Sequence, residues 1–162
     1  MAWPDPSRLP PRSSTAARPT RIRQATDADA DRIAELTTQL GYPVYTATLG
    51  TRLADVRARS EDEVYVAVDE ADRAVGWIHV SILALLEQGH LACINGLVVD
   101  EELRSRGIGA ELVGVAEAWG RAHGATAIMV RSRSTRERAH RFYERNGYEE
   151  IKLSHVFSKP LV

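Results

Sequence analysis

In the stretch VVDEELRSRGIGAELVGVAEAW, from Val98 to Trp119, two glycines sit among arginines where an apolar helical pattern begins. Ile108, Leu112, Val115, Ala116 and Trp119 recur at helical spacing, so Gly107 and Gly109 fall at the first turn. The free N–H groups of such a turn point outward, and the helix dipole adds partial positive charge. An anion, above all a phosphate, suits that end. Glycine leaves the backbone open to close approach, and Arg104 and Arg106 add charge and forked donors. A P-loop would need Lys-Ser/Thr after its last glycine, and a dinucleotide fingerprint a third glycine where Leu112 stands. Neither spacing is met. On spacing alone, a pyrophosphate cradle and a plain glycine-bearing helix start both stand.

Other residues could carry proton chemistry. Tyr143, in RFYERNGY, offers a hydroxyl on an amphipathic segment, or simply an aromatic packing beside Phe142. Cys93 and Asn95 lie two apart in the apolar run LACINGLVV and so share a strand face. A lone apolar-run cysteine reads as a small core residue. The histidines, at 79, 90, 123, 140 and 155, include no i,i+4 pair, so no metal site is expected. His79 lies within a strand-like run, as a rim histidine or a base facing a cleft.

These groups must be positioned by a definite order of elements. RIRQAT reads as a short strand, followed by a helix capped at Thr26, carrying Ile33, Leu36 and Leu40 and stopped by Gly41 and Pro43. Leu49, Leu53 and Val56 predict a second helix. VYVAV and AVGWIHVSI are strands joined by a charged turn, LALLEQGH is a loop or short helix, and LACINGLVV is a third long strand. After the glycine-bearing helix come a buried strand, ATAIMVRS, and a helix ending at Asn146-Gly147. EEIKLSHVFSKPL supplies one or two final strands. The expectation is an α/β (α+β) domain with one mixed sheet of about six to seven strands flanked by about four helices. Residues 1–20, rich in Pro, Ser and Arg, read as a disordered extension, leaving 21–162 as the domain.

Two motifs carry a family resemblance. LRSRGIGA resembles the acyl-CoA signature of the GNAT superfamily of acetyl-CoA-dependent N-acetyltransferases, with Arg104, Gly107 and Gly109 in its three defining places. AHRFYERNGYEE resembles that family's second hallmark, and the element order matches from about Arg21 onward. The resemblance implies acetyl-CoA as cosubstrate and a CoA-binding loop of Arg104, Ser105, Arg106, Gly107, Ile108, Gly109 and Ala110. Leu97, Val98 and Val99 would pair with the pantetheine arm as an added strand does.

By the same resemblance Tyr143 is the general acid that protonates the departing thiolate. The sequence departs from the pattern elsewhere. Where some members carry a strand carboxylate, this chain has Cys93, with Asn95 as a water-orienting residue that is not itself a base. Arg136 stands where the family often has Asn, and could reach phosphate. Tyr42, Tyr45, His79 and Glu87 fall in segments that often shape the acceptor pocket. The activity implied is acetyl transfer to a primary amine of a small molecule by direct attack. The alternatives are a protein lysine or N-terminal acetyltransferase and a non-catalytic acyl-CoA sensor.

Composition narrows the partners. The 162 residues are 44% hydrophobic and 27% charged, with Lys+Arg 21 against Asp+Glu 22 and net charge -1, which gives no electrostatic case for nucleic acid. The most apolar stretch, WIHVSILALLEQG, is too short to span a bilayer, so no membrane association is expected. One cysteine and no signal-peptide pattern point to the cytoplasm. SILALLEQ would serve as a homodimer patch.

Overall fold

The computed structural model describes residues 21–161. The extension expected over residues 1–20 lies outside the described residues. In chain order the elements are β1 (Arg21–Gln24), a 3-10 turn (Asp27–Asp29), α1 (Ala30–Gln39), α2 (Thr46–Arg57), β2 (Asp62–Val68), β3 (Ala74–Leu85) and β4 (Gly89–Val99). A second 3-10 turn (Glu101–Leu103) then precedes α3 (Ile108–Ala122), β5 (Ala127–Val130) and α4 (Glu137–Arg145). The strands form one sheet in the order β1-β2-β3-β4-β5, antiparallel up to β4, with β5 parallel to β4.

Strand alternation divides the core into two layers. Val64, Val66 and Val68 of β2 face α1 and α2, packing with Ala30, Ile33 and Leu53. Ala67 of β2, Ile78 and Val80 of β3 and Ala92 and Ile94 of β4 face the other way, onto Ile108, Leu112, Val113, Ala116 and Trp119 of α3. The five α3 positions form one helical stripe, close to the one expected from the sequence.

Two expectations need correction. LALLEQGH is a turn only at residues 86–88 and contains no helix: Leu83, Ala84 and Leu85 extend β3, pairing with Leu91, His90 and Gly89 across a tight hairpin. Cross-strand pairing with β4 overrides the helix propensity of a Leu/Ala run. The sheet also has five strands, not six to seven. EEIKLSHVFSKPL forms no strand, and Ile151 and Phe157 are 80% and 91% exposed. Alternating apolar residues make a strand only where an edge pairs with them and a face buries them, and this segment has neither.

An ionic cluster closes one end of the sheet. Arg23 of β1 makes a two-pronged contact to Asp29, at 2.8 and 2.9 Å, and also reaches Asp72 in the β2–β3 turn. Asp29 is buried and accepts from the Thr26 backbone N–H at 2.7 Å, which completes a capping box. Burial pushes the Asp29 carboxyl up, but the Arg23 and Thr26 hydrogen bonds outweigh it and hold the carboxyl below its usual range. On α1, Arg32 joins the start of β3 to the end of β4 by donating to the Ala74 carbonyl and pairing with Asp100.

Candidate active site

β4 and β5 pair only from Leu91↔Ala127 to Ile94↔Val130, although β4 runs on to Val99. Beyond that last pair the strands part, and a cleft of about 1000 Å³ opens between them. The split coincides with an irregularity in β4. His79 pairs with Gly96 but Val80 pairs with Ile94, so Asn95 is an extra residue, a β-bulge that bends its strand. From Asn95 to Val99 the β5-side edge of β4 has no strand partner, leaving backbone groups able to take up an extended ligand.

The far end of the cleft is the glycine motif. Gly107 is the N-cap of α3 at φ 88°, and Ser105 also lies in the left-handed region, at φ 64°. Left-handed residues alternating with others turn successive N–H groups toward one point, which makes an anion-binding nest at a helix start. Gly107 is glycine for its conformation, since a Cβ there would meet nothing within 4 Å. Gly109 is glycine for packing: a Cβ would lie 3.1 Å from the Phe142 ring, so the contact fixes α4 against the start of α3. Arg104 donates to the Val99 carbonyl at 3.1 Å, locking the loop to the end of β4. Arg138 of α4 reaches the Ser105 hydroxyl.

Tyr143 projects from α4 into the cleft wall, its ring edge-on to Phe142 and Tyr148 at 5.1 and 5.5 Å between centroids. Among the described residues its hydroxyl makes no hydrogen bond. Burial pushes the phenol up to about 12, against a smaller opposing effect from the Arg136 charge. It therefore stays protonated and is available as a donor at any working pH. Cys93 is 2% exposed, and burial pushes its thiol up, so little thiolate exists near neutrality. Asn95 donates from Nδ2 to the Ser81 hydroxyl oxygen at 2.7 Å.

The sequence-expected residues divide accordingly. Leu97, Val98, Val99, Arg104, Ser105, Gly107, Ile108, Gly109, Ala110, Arg136, Tyr143 and Asn95 all line the cleft, as does Tyr42. Arg106 does not, since its guanidinium turns back to the Glu102 carbonyl. Arg136 lies in the wall but is engaged by the Leu40 carbonyl at 2.8 Å, which joins α4 to the end of α1. Tyr45 is an exposed residue at the start of α2, and Glu87 sits in the β3–β4 turn. His79 belongs to a second, apolar pocket beneath α1 and α2, where its Nε2 lies 2.8 Å from Asp62. Phe142, Arg131 and Arg133 were not singled out from sequence. The basic run RSR after a buried strand was the only signal for the two arginines, whereas Phe142 lies within the AHRFYERNGYEE motif, and Arg133 binds the Tyr42 hydroxyl at 2.7 Å. Among the described residues no cluster of His, Cys, Asp and Glu could hold a metal, and no helix is long and apolar enough to cross a membrane.

The chain is similar to known proteins over most of its length. It is 27% identical over 133 residues to the uncharacterized N-acetyltransferase YhfO of Bacillus subtilis, covering 80% of this chain and 89% of that protein. Its fold matches the aminoglycoside 6'-N-acetyltransferase AAC(6')-IG of Acinetobacter haemolyticus with a TM-score of 0.76 at 18% identity, over 88% of this chain and 99% of that one. The aminoglycoside N-acetyltransferase AAC(6')-Iy, solved in complex with CoA, superposes with a TM-score of 0.78 at 17% identity, over 86% of this chain and 93% of that one. The family model for the acetyltransferase (GNAT) family matches residues 29–148, the span from the capped first helix through the split strands to Tyr148, and the chain belongs to that family.

Proposed function

We propose that this protein transfers an acetyl group from acetyl-CoA to a primary amine of a small molecule by direct attack. The observation that carries the reading is the split after Ile94 and Val130. It leaves the β4 edge from Asn95 to Val99 without a strand partner among the described residues and leads straight to the anion nest at Gly107. A thioester with a long amide-bearing arm and a pyrophosphate fits that sequence of features. The cosubstrate supplies the activated acyl group. Backbone groups of Leu97 to Val99 hold its arm, and N–H groups around Gly107 and Gly109 hold its phosphates. Tyr143 delivers a proton to the sulfur as negative charge develops there, which makes the thiol a better leaving group. Asn95 orients a water or the incoming amine. With its thiol buried and protonated, Cys93 takes no acyl group.

No carboxylate stands at the Cys93 and Asn95 positions of β4, and that favours a second reading, a non-catalytic acyl-CoA sensor. One experiment separates the two. Acetyl-CoA, free CoA, ATP and NAD are compared by thermal shift, and the chain is then assayed for thiol release with a panel of amines. A ligand at a hundred times its dissociation constant adds about 2.7 kcal/mol, which raises Tm by several degrees. Stabilisation by CoA compounds with thiol release supports the enzyme, and stabilisation without release supports the sensor. No CoA shift would remove both.

A further inference from the structure

The cleft is lined by seven arginines and a single acid, Glu137, which itself pairs with Arg141. Phosphates account for those near the nest. Arg104 is tied to the end of β4, and Arg138 leans on Ser105. Arg131 has a different position. It is the first residue of its strand beyond the last β4–β5 pair, as Asn95 is on the other arm, so the two flank the point where the sheet opens.

Arg131 also lies on the other side of the sheet from the nest. Ile128 and Val130 pack into the α3 layer, so by alternation Met129 and Arg131 face away from it, together with Cys93, the partner of Met129. The Arg131 charge pulls the Cys93 thiol pKa back against burial, which is consistent with that placement. Tyr143 and Phe142 pack on the α3 side. Among the described residues the Arg131 guanidinium has no hydrogen bond or ion pair, and the Asn95 side-chain oxygen Oδ1 has no partner, its Nδ2 being taken by Ser81. A free guanidinium and a free carbonyl oxygen across the gap from the proton donor complement a carboxylate and an amine.

We infer that the acceptor is an amine bearing a carboxylate, of the amino-acid type, with Arg131 binding the carboxylate and Asn95 receiving an N–H of the attacking amine. This rests on the acetyl-transfer reading and names its substrate class. The attacking nitrogen, already neutral, forms the N–acyl bond as the thioester C–S bond breaks. Tyr143 gives its proton to the sulfur and becomes a phenolate, and the one proton the nitrogen loses passes through water to restore the phenol. A polycationic amine is disfavoured because no free carboxylate faces it from the cleft wall.

The test uses matched amines. Thiol release from acetyl-CoA is measured for α-amino acids and for their carboxamides at equal concentrations of unprotonated amine, and for a polycationic aminoglycoside. The expected result is a kcat/KM at least tenfold higher for the carboxylates. Arg131→Gln should collapse that preference toward one, chiefly through the acceptor KM, while the acetyl-CoA thermal shift stays as in the parent. Arg131→Lys should restore part of it. Equal use of the amides, preference for the aminoglycoside, or an Arg131→Gln variant with unchanged selectivity would overturn the inference and leave acetyl transfer standing. Failure of every amine to release thiol would remove acetyl transfer and the inference together.

Discussion

Tyr143, the proton donor of the proposed reaction, sits on α4 with its ring in the cleft wall. Packed between Phe142 and Tyr148, it is pushed up to about 12, so it is a weaker acid than an exposed tyrosine but is never lost to ionisation. In the proposed reaction its proton is drawn on only as negative charge develops on the sulfur beside it. Removing the hydroxyl should therefore lower kcat by about a hundredfold or more and leave acetyl-CoA affinity nearly unchanged. Single-turnover rates with a binding isotherm for Tyr143→Phe check this, and unchanged turnover would take Tyr143 out of the mechanism. The same environment fixes a pH profile. The acceptor amine must lose its proton to attack, so kcat/KM rises with pH. Because the phenol is raised, no falling limb from Tyr143 should appear below about pH 10, the value for an ordinary tyrosine. A kinetic limb near pH 8 that disappeared in Tyr143→Phe would contradict the protonated phenol.

At the scale of elements, the sequence carried the strand–nest–helix unit because glycine, arginine and helical periodicity are all local signals. It did not carry the split of β4 from β5. That split coincides with Asn95 being accommodated as an extra residue opposite β3, a matter of register between paired residues 14 or more positions apart. The end of β3 was misread for the same reason, since ladder pairing with β4 decides its conformation. EEIKLSHVFSKPL has the alternation of a strand but pairs with no other strand and buries no face. His79 illustrates the limit for side chains: its segment was read correctly as a strand, but the pocket it faces depends on where α1 and α2 pack. The structure also separates the two glycines of the motif. Gly107→Ala meets no atom but must hold φ 88°, which costs about 1–2 kcal/mol. Gly109→Ala keeps helical geometry but presses a methyl group on Phe142 and moves α4, which carries Tyr143. Gly107→Ala should therefore mainly weaken CoA binding, whereas Gly109→Ala should also depress kcat. Identical effects on affinity and turnover would show that the two glycines act as one conformational unit.

For the whole molecule, the ionic clamp and the candidate cleft lie at opposite edges of the sheet. The cleft opens along the β4–β5 side, where arginines outnumber acids. The β1 side is clamped by Arg23, Asp29 and Asp72, which join the first strand, the turn into α1 and the β2–β3 turn. Asp29 is the buried member of that clamp, and its carboxyl is held below the ordinary carboxylate range. A group with a depressed folded-state pKa contributes stability that is complete above its unfolded value, about 3.9 for Asp. That contribution is lost as pH falls below this value and through the folded-state pKa. Asp29→Asn removes the charge at every pH and leaves Arg23 without its main partner, so it should cost about 2 kcal/mol at neutral pH. Urea unfolding from pH 7 down to pH 2.5 measures both effects. The parent should lose stability steeply below about pH 4, the variant should lose less, and the two curves should converge at the acid end. At pH 7, where both remain folded, acetyl-CoA affinity should be the same, because β1 lies at the opposite edge of the sheet from β5. A variant whose stability stayed parallel to the parent's down to the lowest pH would show that Asp29 is not what the clamp titrates. The acid sensitivity would then belong to the more exposed carboxylates, with Asp72 the first to replace.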